Sequence, residues 1–200
     1  MSPRIISGTA GGRRLAVVPG RMTRPTSDRA REGLFATVAA IHGSLAGARV
    51  LDLYAGSGAV GLEALSRGAA HVLLVEGDAR AARVIRENVA ALGLGGATVV
   101  NDRVDRLLAR GRGDLAPRDF VFADPPYRVG DDELVRMLTA LAGGWLAPGA
   151  LVAIERATRS GPPTWPAGYE PDRSRRYGEA TLWYGLAAGG KLVASSVTGA

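Results

Sequence analysis

Short apolar runs alternate with helical stretches from residue 49 onward, and this alternation limits the fold more than any other feature of the sequence. The apolar runs predict strands at residues 50–54, 72–76, 98–101, 120–123 and 151–154. Apolar spacing and capping residues predict helices at about 60–67, 79–92, 104–109 and 131–141. Strands that alternate with helices are typical of a parallel sheet with helices on both faces. The sequence therefore predicts an α/β fold.

The two ends of the chain depart from this alternation. Residues 1–26 form a basic N-terminal extension, in which 5–6 and 15–18 are candidate strands of a small β-hairpin. A helix capped by Thr26 or Ser27 follows. Its apolar face holds Ala30, Leu34, Val38 and Ile41. Residues 173–177 and 181–186 predict an antiparallel hairpin, which leaves one domain over 27–188 and a disordered tail over 189–200.

The length and composition of the chain exclude several kinds of protein. Its 200 residues fit one domain of ordinary size. Cysteine is absent, which excludes disulfides, thiolate catalysis and cysteine metal sites, and His42 and His71 are too far apart in sequence to suggest a metal centre. No run of 18 apolar residues predicts a membrane span. We expect a monomeric, cytoplasmic protein without a metal.

A glycine-rich turn follows the first predicted strand and indicates a nucleoside cofactor. Gly56, Gly58 and Gly61 match the pattern G-x-G-x-x-G, and Glu76 stands 20 residues after Gly56, where an acidic residue can bind ribose hydroxyls. This pattern alone would also fit a nicotinamide enzyme. Asp52, however, lies in the strand just before the turn, where a carboxylate suits an ammonium group and disfavours a pyrophosphate.

S-adenosylmethionine has both an ammonium group and a ribose, so it accounts for both carboxylates. We therefore predict a site for this cofactor that also includes Tyr54 and Ser57 of the same turn. The alternative is that Asp52 only caps local backbone and that Glu76 is a solvated strand end.

The tetrapeptide D-P-P-Y follows the fourth predicted strand and suggests the chemistry. Asp124, Pro125, Pro126 and Tyr127 form a stiff turn, because the two prolines end the strand. A turn that offers a carboxylate, unpaired carbonyls and an aromatic ring suits a planar base with an exocyclic amino group. The sequence therefore predicts methylation of that amine, although a purely structural turn is the alternative.

The predicted roles follow from the weak nucleophilicity of an aromatic amine, whose lone pair is delocalised into the ring. We expect Asp124 and the Pro125 carbonyl to accept hydrogen bonds from the two N–H groups and Tyr127 to stack on the base. The methyl group then passes directly to nitrogen without a covalent enzyme intermediate. Either Asp124 or water takes the proton. The target nucleotide should lie in a loop or swing out of the stack.

Positive charge is concentrated at the start of the chain. Residues 1–49 hold eight arginines against two acidic residues, a balance of +6 that equals the net charge of the whole chain. This asymmetry predicts a nucleic-acid surface, although a GC-rich genome would also enrich arginine. The residues predicted to contact RNA phosphates are Arg4, Arg13, Arg14, Arg21, Arg24, Arg29 and Arg31. Arg24 and Thr26, between the extension and the first helix, are best placed to reach the target nucleotide.

Four segments together resemble class I S-adenosylmethionine-dependent methyltransferases that act on amino groups. They are D-L-Y-A-G-S-G at 52–58, G-L-E-A-L-S-R-G at 61–68, Glu76 and D-P-P-Y at 124–127. The resemblance implies a Rossmann-like fold with a mostly parallel, seven-stranded sheet. One position departs from the common pattern, because the acidic residue that contacts adenine after the third strand would align near Arg103. Its neighbour Asp102 is the expected substitute.

A second set of residues resembles the RsmD family more specifically. It comprises R-P-T-S-D-R-A-R-E-G-L-F at 24–35, Gly8, Gly12 and Y-G at 177–178, and the resemblance extends over residues 4–186. This family methylates the N2 amine of guanine in 16S ribosomal RNA of the small subunit. The resemblance therefore implies a methyltransferase domain over 27–188, with 16S rRNA or the assembled small subunit as its partner.

The sequence leaves three other functions open. D-P-P-Y also occurs in amino methyltransferases that act on adenine or cytosine in DNA, so a different base is one alternative. A nicotinamide-dependent oxidoreductase can use the same glycine turn, although Asp52 and D-P-P-Y argue against it. An RNA-binding module with a cofactor pocket that no longer works would also retain the basic segment.

Overall fold

The computed structural model describes residues 2–18 and 27–189. Within these ranges the helices are α1 (Asp28–His42), α2 (Ala59–Ser66), α3 (Ala79–Leu92), α4 (Val104–Ala109) and α5 (Asp131–Ala142). The strands are β1 (Arg49–Leu53), β2 (His71–Glu76), β3 (Ala97–Asn101), β4 (Arg118–Ala123), β5 (Leu146–Ala157), β6 (Tyr169–Tyr177) and β7 (Ala180–Ala187). A 3₁₀ turn, Thr158–Ser160, follows β5. The predicted tail beyond 189 lies outside the described residues.

The strands form one seven-stranded sheet in the order β3-β2-β1-β4-β5-β7-β6. Strands β1 to β5 pair in parallel, whereas β7 pairs antiparallel with both β5 and β6. The α/β fold with an antiparallel C-terminal hairpin, predicted from the sequence, is thereby confirmed. The strand order reverses between β1 and β4, and ligands of such sheets bind outside the carboxyl ends of the strands at this point.

Polar side chains set where the helices begin. The hydroxyl of Ser27 accepts a hydrogen bond from the Ala30 amide at 3.1 Å and caps α1. Thr26, the other predicted cap, lies outside the described residues. The carboxylate of Asp78 accepts hydrogen bonds from the amides of Arg80 and Ala81 at the start of α3, as the sequence predicts. Each cap satisfies amides that lack a partner within the helix.

Two apolar layers cover the sheet because successive strand residues point to opposite faces. On one face, α1, α2 and α3 pack against strand residues such as Val50 and Phe120. On the other face, α4, α5 and Trp145 pack against residues such as Leu51 and Val121. The sheet is therefore buried on both faces. The carboxyl ends of its strands remain exposed, and a ligand can bind there. Among the described residues no helix is long and apolar enough to cross a membrane.

The described part of the N-terminal extension packs against the first of these layers. Arg4 and Arg14 form an isolated antiparallel bridge, and Ile5 and Leu15 are buried. The buried carboxylate of Glu63 on α2 accepts hydrogen bonds from the amides of residues 6 and 7 at 2.6 and 3.0 Å. Residues 2–18 are therefore held on the body of the molecule by apolar burial and by hydrogen bonds.

Strands β5 and β6 are longer than the sequence predicts. β5 begins five residues before the predicted position at 151, because Leu146 pairs with Arg118 ahead of an irregular stretch around Pro148 and Gly149. β6 begins at Tyr169, and its register with β7 shifts after Pro171. Proline and glycine suggest loops in the sequence, but an irregularity in the ladder accommodates both.

Candidate active site

A cavity of about 1650 Å³ opens at the carboxyl edge of the sheet. Its wall includes the glycine turn after β1, the end of β2, the D-P-P-Y turn after β4 and the end of β5. The two turns singled out from the sequence therefore share one cavity. This arrangement matches the binding position expected where the strand order reverses.

The turn between β1 and α2 has an unusual backbone that brings it close to the cavity. Tyr54 has φ +59°, and among the described residues it alone has a positive φ without being glycine. Gly58 takes the left-handed conformation at the start of α2. Gly61 allows the helix to approach the sheet, since a Cβ there would lie 2.8 Å from atoms of Leu74 and Val72. Strain of this kind persists where the surrounding structure holds it, often at binding sites.

Asp52 lies under this turn and is almost fully buried. One of its oxygens, Oδ2, accepts a hydrogen bond from the Gly61 amide at 2.8 Å. Burial raises the pKa of Asp52 to about 7; the hydrogen bond from Gly61 partly opposes this, and the charge of Glu76 adds to it. The carboxyl group also lines the cavity, so a cationic ligand there would favour its ionised form.

Glu76 ends β2 beside the same turn. Its Oε2 accepts a hydrogen bond from the Gly56 amide at 2.9 Å, and its Oε1 accepts one from the Asp78 amide at 2.8 Å. These two bonds fix the carboxylate at the cavity wall and leave lone pairs for a ligand. Glu76 is therefore a fixed hydrogen-bond acceptor rather than a solvated strand end.

Tyr54 and Ser57 complete the part of the wall that the glycine turn provides. Burial raises the pKa of Tyr54 to about 12, so its phenol stays protonated. The carbonyl of Ser57 accepts a hydrogen bond from the side chain of Asn88 at 3.0 Å, and the same amide group is bonded to the backbone of Ala16. Asn88 thus ties the N-terminal extension to the glycine turn, a link that sequence reasoning missed.

The predicted adenine contact after β3 needs a correction. The carboxylate of Asp102 accepts hydrogen bonds from the Arg103 amide and the Arg110 side chain, and it forms an ion pair with Arg106. It therefore faces the arginines of α4 and is not part of the cavity wall, contrary to the sequence expectation. Arg103 does line the cavity, where its guanidinium pairs with Asp105 at 2.7 Å.

The D-P-P-Y turn forms the opposite wall. Asp124 is half-buried, and its pKa is raised well above the ordinary value by burial, and further by the negative charges of Glu155 and Asp52. Pro125 and Pro126 follow along the same wall. The side chain of Tyr127 is 72% exposed, and the Arg159 guanidinium lies 5.9 Å from its ring centroid. An exposed aromatic ring beside a carboxylate is suited to a planar ligand.

Glu155 is a residue of this wall that sequence reasoning missed. It is half-buried near the end of β5 and lines the cavity. The signal was present in the sequence, because an acidic residue follows the apolar run 151–154 just as Asp124 follows 120–123. The cavity therefore has two acidic halves, one formed by the ends of β1 and β2 and the other by the ends of β4 and β5.

The predicted RNA-binding arginines do not behave alike. Arg4, Arg14 and Arg29 are exposed. Arg13 is exposed as well, but its guanidinium donates to backbone carbonyls at the end of α3. The prediction that Arg31 contacts RNA is wrong. Arg31 is fully buried and donates hydrogen bonds to the Arg4 carbonyl and to Asp28, so it is not available to a phosphate. Arg21, Arg24 and Thr26 lie outside the described residues.

The chemistry of the cavity depends on carboxylates, backbone groups and aromatic rings. Within residues 2–18 and 27–189 no group of three or more histidine, aspartate or glutamate side chains could hold a metal ion. One half of the cavity offers fixed acceptors for a nucleoside and a cation. The other half offers an acceptor and a ring for a base with an amino group.

Comparison with known proteins gives the family. The family model described as "Conserved hypothetical protein 95" matches residues 3–185. The "Ribosomal RNA small subunit methyltransferase D" of Escherichia coli K12 is 41% identical over 177 residues, which are 88% of this chain and 85% of that protein. The chain belongs to the RsmD family. A relative of the same name from Haemophilus influenzae is 36% identical over 76% of this chain and 77% of its own length.

Solved structures agree with membership of the RsmD family. The yhhF protein of Escherichia coli superposes with a TM-score of 0.81 and 36% identity, covering 95% of this chain and 100% of that one. A precorrin-6y C5,15-methyltransferase from Geobacter metallireducens has a TM-score of 0.60 at 14% identity and covers 87% of this chain and 94% of its own. This second likeness shows the fold alone. The sheet is therefore the Rossmann-like sheet of methyltransferases.

Proposed function

We propose that this protein transfers a methyl group from S-adenosylmethionine to the exocyclic N2 amine of a guanine in 16S rRNA of the small ribosomal subunit. The observation that carries the proposal is that the glycine turn with its two carboxylates and the D-P-P-Y turn line one cavity. Membership of the RsmD family and the names of its relatives support the RNA substrate. Neither the site nor the relatives favour a nicotinamide enzyme.

The cofactor half of the cavity fits S-adenosylmethionine. Glu76 would accept hydrogen bonds from the ribose hydroxyls, and the backbone of the turn at Gly56 and Ser57 would border the nucleoside. Asp52 would lie near the cationic amino acid end, where a positive charge offsets the cost of its buried carboxylate. When bound, this cofactor supplies a sulfonium methyl group for direct in-line transfer.

The base half of the cavity positions the acceptor. Asp124 and the Pro125 carbonyl would accept hydrogen bonds from the two N–H groups of the amine, which favours a pyramidal nitrogen and stabilises the positive charge that develops on it. The exposed ring of Tyr127 would stack on the guanine. Stacking and hydrogen bonding together would hold a nucleotide that has left its helix.

The basic surface would bind the rest of the RNA. Arg4, Arg14 and Arg29 are exposed and can neutralise phosphates without selecting a base. We assign the transfer reaction to residues 27–188 and assign to residues 1–26 a contribution to RNA affinity. The substrate is either naked 16S rRNA or the assembled small subunit, and the cofactor and substrate assignments can be tested together.

The test is a transfer assay with small subunits and with naked 16S rRNA, both isolated from cells that lack this protein. We expect S-adenosylmethionine with a labelled methyl group to yield labelled N2-methylguanosine after digestion of the RNA and mass spectrometry of the nucleosides. NAD should show no binding by calorimetry. Label on adenine would assign a different base, and the absence of any label from both substrates would contradict the proposed function.

A further inference from the structure

Glu155 lies beside Asp124 at the base half of the cavity. Ala153 of β5 pairs with Phe122 of β4; Glu155 lies two residues after Ala153, and Asp124 lies two residues after Phe122, just past the end of β4. Side chains two residues apart on a strand share a face, and neighbouring strands lie about 4.8 Å apart. Both side chains line the cavity, so two carboxyl groups on adjacent strands border the position of the base.

The backbone of Glu155 is held more firmly than that of Asp124. Glu155 lies within β5 and pairs with Leu182 of β7, while the pairing of β5 with β4 ends one residue earlier, at Ile154 and Ala123. Asp124 comes after the last residue of β4, and its amide makes a hydrogen bond of 3.4 Å to the Leu53 carbonyl. Glu155 therefore presents its carboxylate from a rigid element, as a residue that selects a ligand should.

The edge of guanine that carries N2 has a second donor beside the amine. Guanine has a hydrogen on N1, whereas the N1 atom of adenine is an unprotonated acceptor. Bases that have left a helix are read by hydrogen bonds along this edge. Two neighbouring carboxylates can therefore accept from two neighbouring donors of guanine, whereas adenine would place a lone pair against one of them.

We propose that Glu155 accepts a hydrogen bond from N1–H of the target guanine and so selects guanine over bases that lack this hydrogen, an inference that rests on the proposed function. The negative charge of Glu155 helps to raise the pKa of Asp124. This effect agrees with a short distance between the two carboxyl groups. A base that donates a hydrogen bond to each carboxyl group favours its ionised form, because such a bond stabilises the negative charge.

The experiment replaces the target guanine by bases that keep the 2-amino group and lack the N1 hydrogen. 16S rRNA carrying guanine, 2-aminopurine or 2,6-diaminopurine at the methylated position is tested naked and after assembly into small subunits. Both analogues also lack the O6 carbonyl of guanine, so 6-thioguanine, which keeps N1–H and changes only position 6, is included to separate the loss of N1–H from the loss of O6. We expect the wild-type kcat/KM to be about 10- to 100-fold lower for both analogues than for guanine.

The variant Glu155→Gln should remove this preference. Its neutral amide can accept from N1–H or donate to a bare N1, so we expect kcat/KM for guanine to fall about 10-fold or more while the values for the analogues change little. Glu170→Gln is the matched control, because Glu170 is an exposed glutamate on β6 that does not line the cavity. It should keep the preference of the wild type.

Binding of S-adenosylmethionine, measured by calorimetry, reports whether Glu155→Gln is folded. An equal loss of activity on all three bases in a folded variant would overturn the proposal, because a residue that only removes a proton or supports the turn would act on each of them. An unchanged preference for guanine in the variant, or no preference in the wild type, would overturn it too. If the wild type methylates none of the RNAs, the proposed function itself fails.

Discussion

The two halves of the cavity differ in how their carboxylates are held. In the cofactor half, Asp52 and Glu76 accept hydrogen bonds from backbone amides at 2.8 to 2.9 Å and are almost fully buried. In the base half, Asp124 is half-buried ahead of two prolines that have no N–H, and Tyr127 is mostly exposed. The cofactor half is therefore preorganised for its ligand, whereas the base half presents an acceptor and an aromatic ring to the RNA.

Replacing the carboxylate of the base half should have the largest effect. Asp124→Ala removes an acceptor for the amine in the transition state, so we expect kcat to fall about 1000-fold. The affinity for S-adenosylmethionine should change by less than about threefold, because the cofactor half is held by its own backbone bonds. Single-turnover transfer and calorimetry measure the two quantities.

The matched control for this variant is Asp132→Ala. Asp132 is exposed on α5 and lies outside the cavity wall. It should retain wild-type turnover. If turnover of Asp124→Ala stays within tenfold of the wild type, the assignment of Asp124 as the acceptor for the amine in the transition state is wrong.

Replacing the carboxylate of the cofactor half should have the next largest effect and should also change stability. Burial raises the pKa of Asp52 from 3.8 to about 7, so between these pH values the folded protein holds a proton that the unfolded chain releases. The free energy of unfolding of the protein without cofactor therefore falls as the pH rises through this window. In Asp52→Asn the side chain cannot lose a proton, so the free energy of unfolding should not fall in this pH window because of this position.

For Asp52→Asn we expect an affinity for S-adenosylmethionine about 100-fold lower than that of the wild type, because the charge that faces the cationic ligand is gone. Urea denaturation should show the variant to be more stable than the wild type by about 4 kcal/mol at pH 8 and by little at pH 4. A stability difference that grows toward acidic pH would contradict the buried, protonated Asp52.

The close packing under the glycine turn can be tested without changing any charge. In Gly61→Ala the new Cβ would lie 2.8 Å from Leu74 and Val72 and 3.0 Å from Oδ2 of Asp52. We expect the free energy of unfolding to fall by about 2 kcal/mol, since this overpacking outweighs the better helix propensity of alanine. Gly95→Ala is the control, because nothing lies within 4 Å of a Cβ there. Equal stability of the two variants would refute the close approach of α2.

The smallest effect is expected at the exposed ring. Tyr127→Leu should raise KM for the RNA about 10-fold and leave stability unchanged, because the side chain is 72% exposed and its proposed partner is the base. Tyr127→Phe keeps the ring and should behave like the wild type. If Phe and Leu raise KM equally, the phenol rather than stacking is responsible.

Much of the fold could be predicted from local signals. Helix α4 at 104–109 and the cap of α3 at Asp78 agree with the sequence prediction, because their residues carry apolar spacing and capping groups. The start of β5 could not be predicted in this way, since Pro148 and Gly149 indicate a loop and only pairing with β4 extends the strand. Long-range pairing overrode the local preference there.

The site shows the same division between local and distant causes. Glu76 and Asp124 could be found because each ends or follows an apolar run beside glycine or proline, and Asp52 because it lies inside an apolar run four residues before the first glycine of the turn. The burial of Arg31 could not be found, because its acceptor is the carbonyl of Arg4, 27 residues away, and an exposed arginine looks identical in the sequence. Asp102 faces α4 for a more local reason, since Arg106 and Arg110, four and eight residues later in the chain, form ion pairs with its carboxylate.

The most direct test of the account is a compound that fills both halves of the cavity at once. In this compound a short alkyl chain joins the N2 nitrogen of guanosine to the 5′ position of adenosine. We predict by calorimetry that it binds about 100-fold or more tightly than adenosine, that S-adenosylmethionine displaces it, and that Glu76→Ala, which removes the proposed acceptor for the ribose, and Asp124→Ala each weaken it. Binding no tighter than that of adenosine, or binding insensitive to Asp124→Ala, would contradict a single cavity that joins cofactor and base.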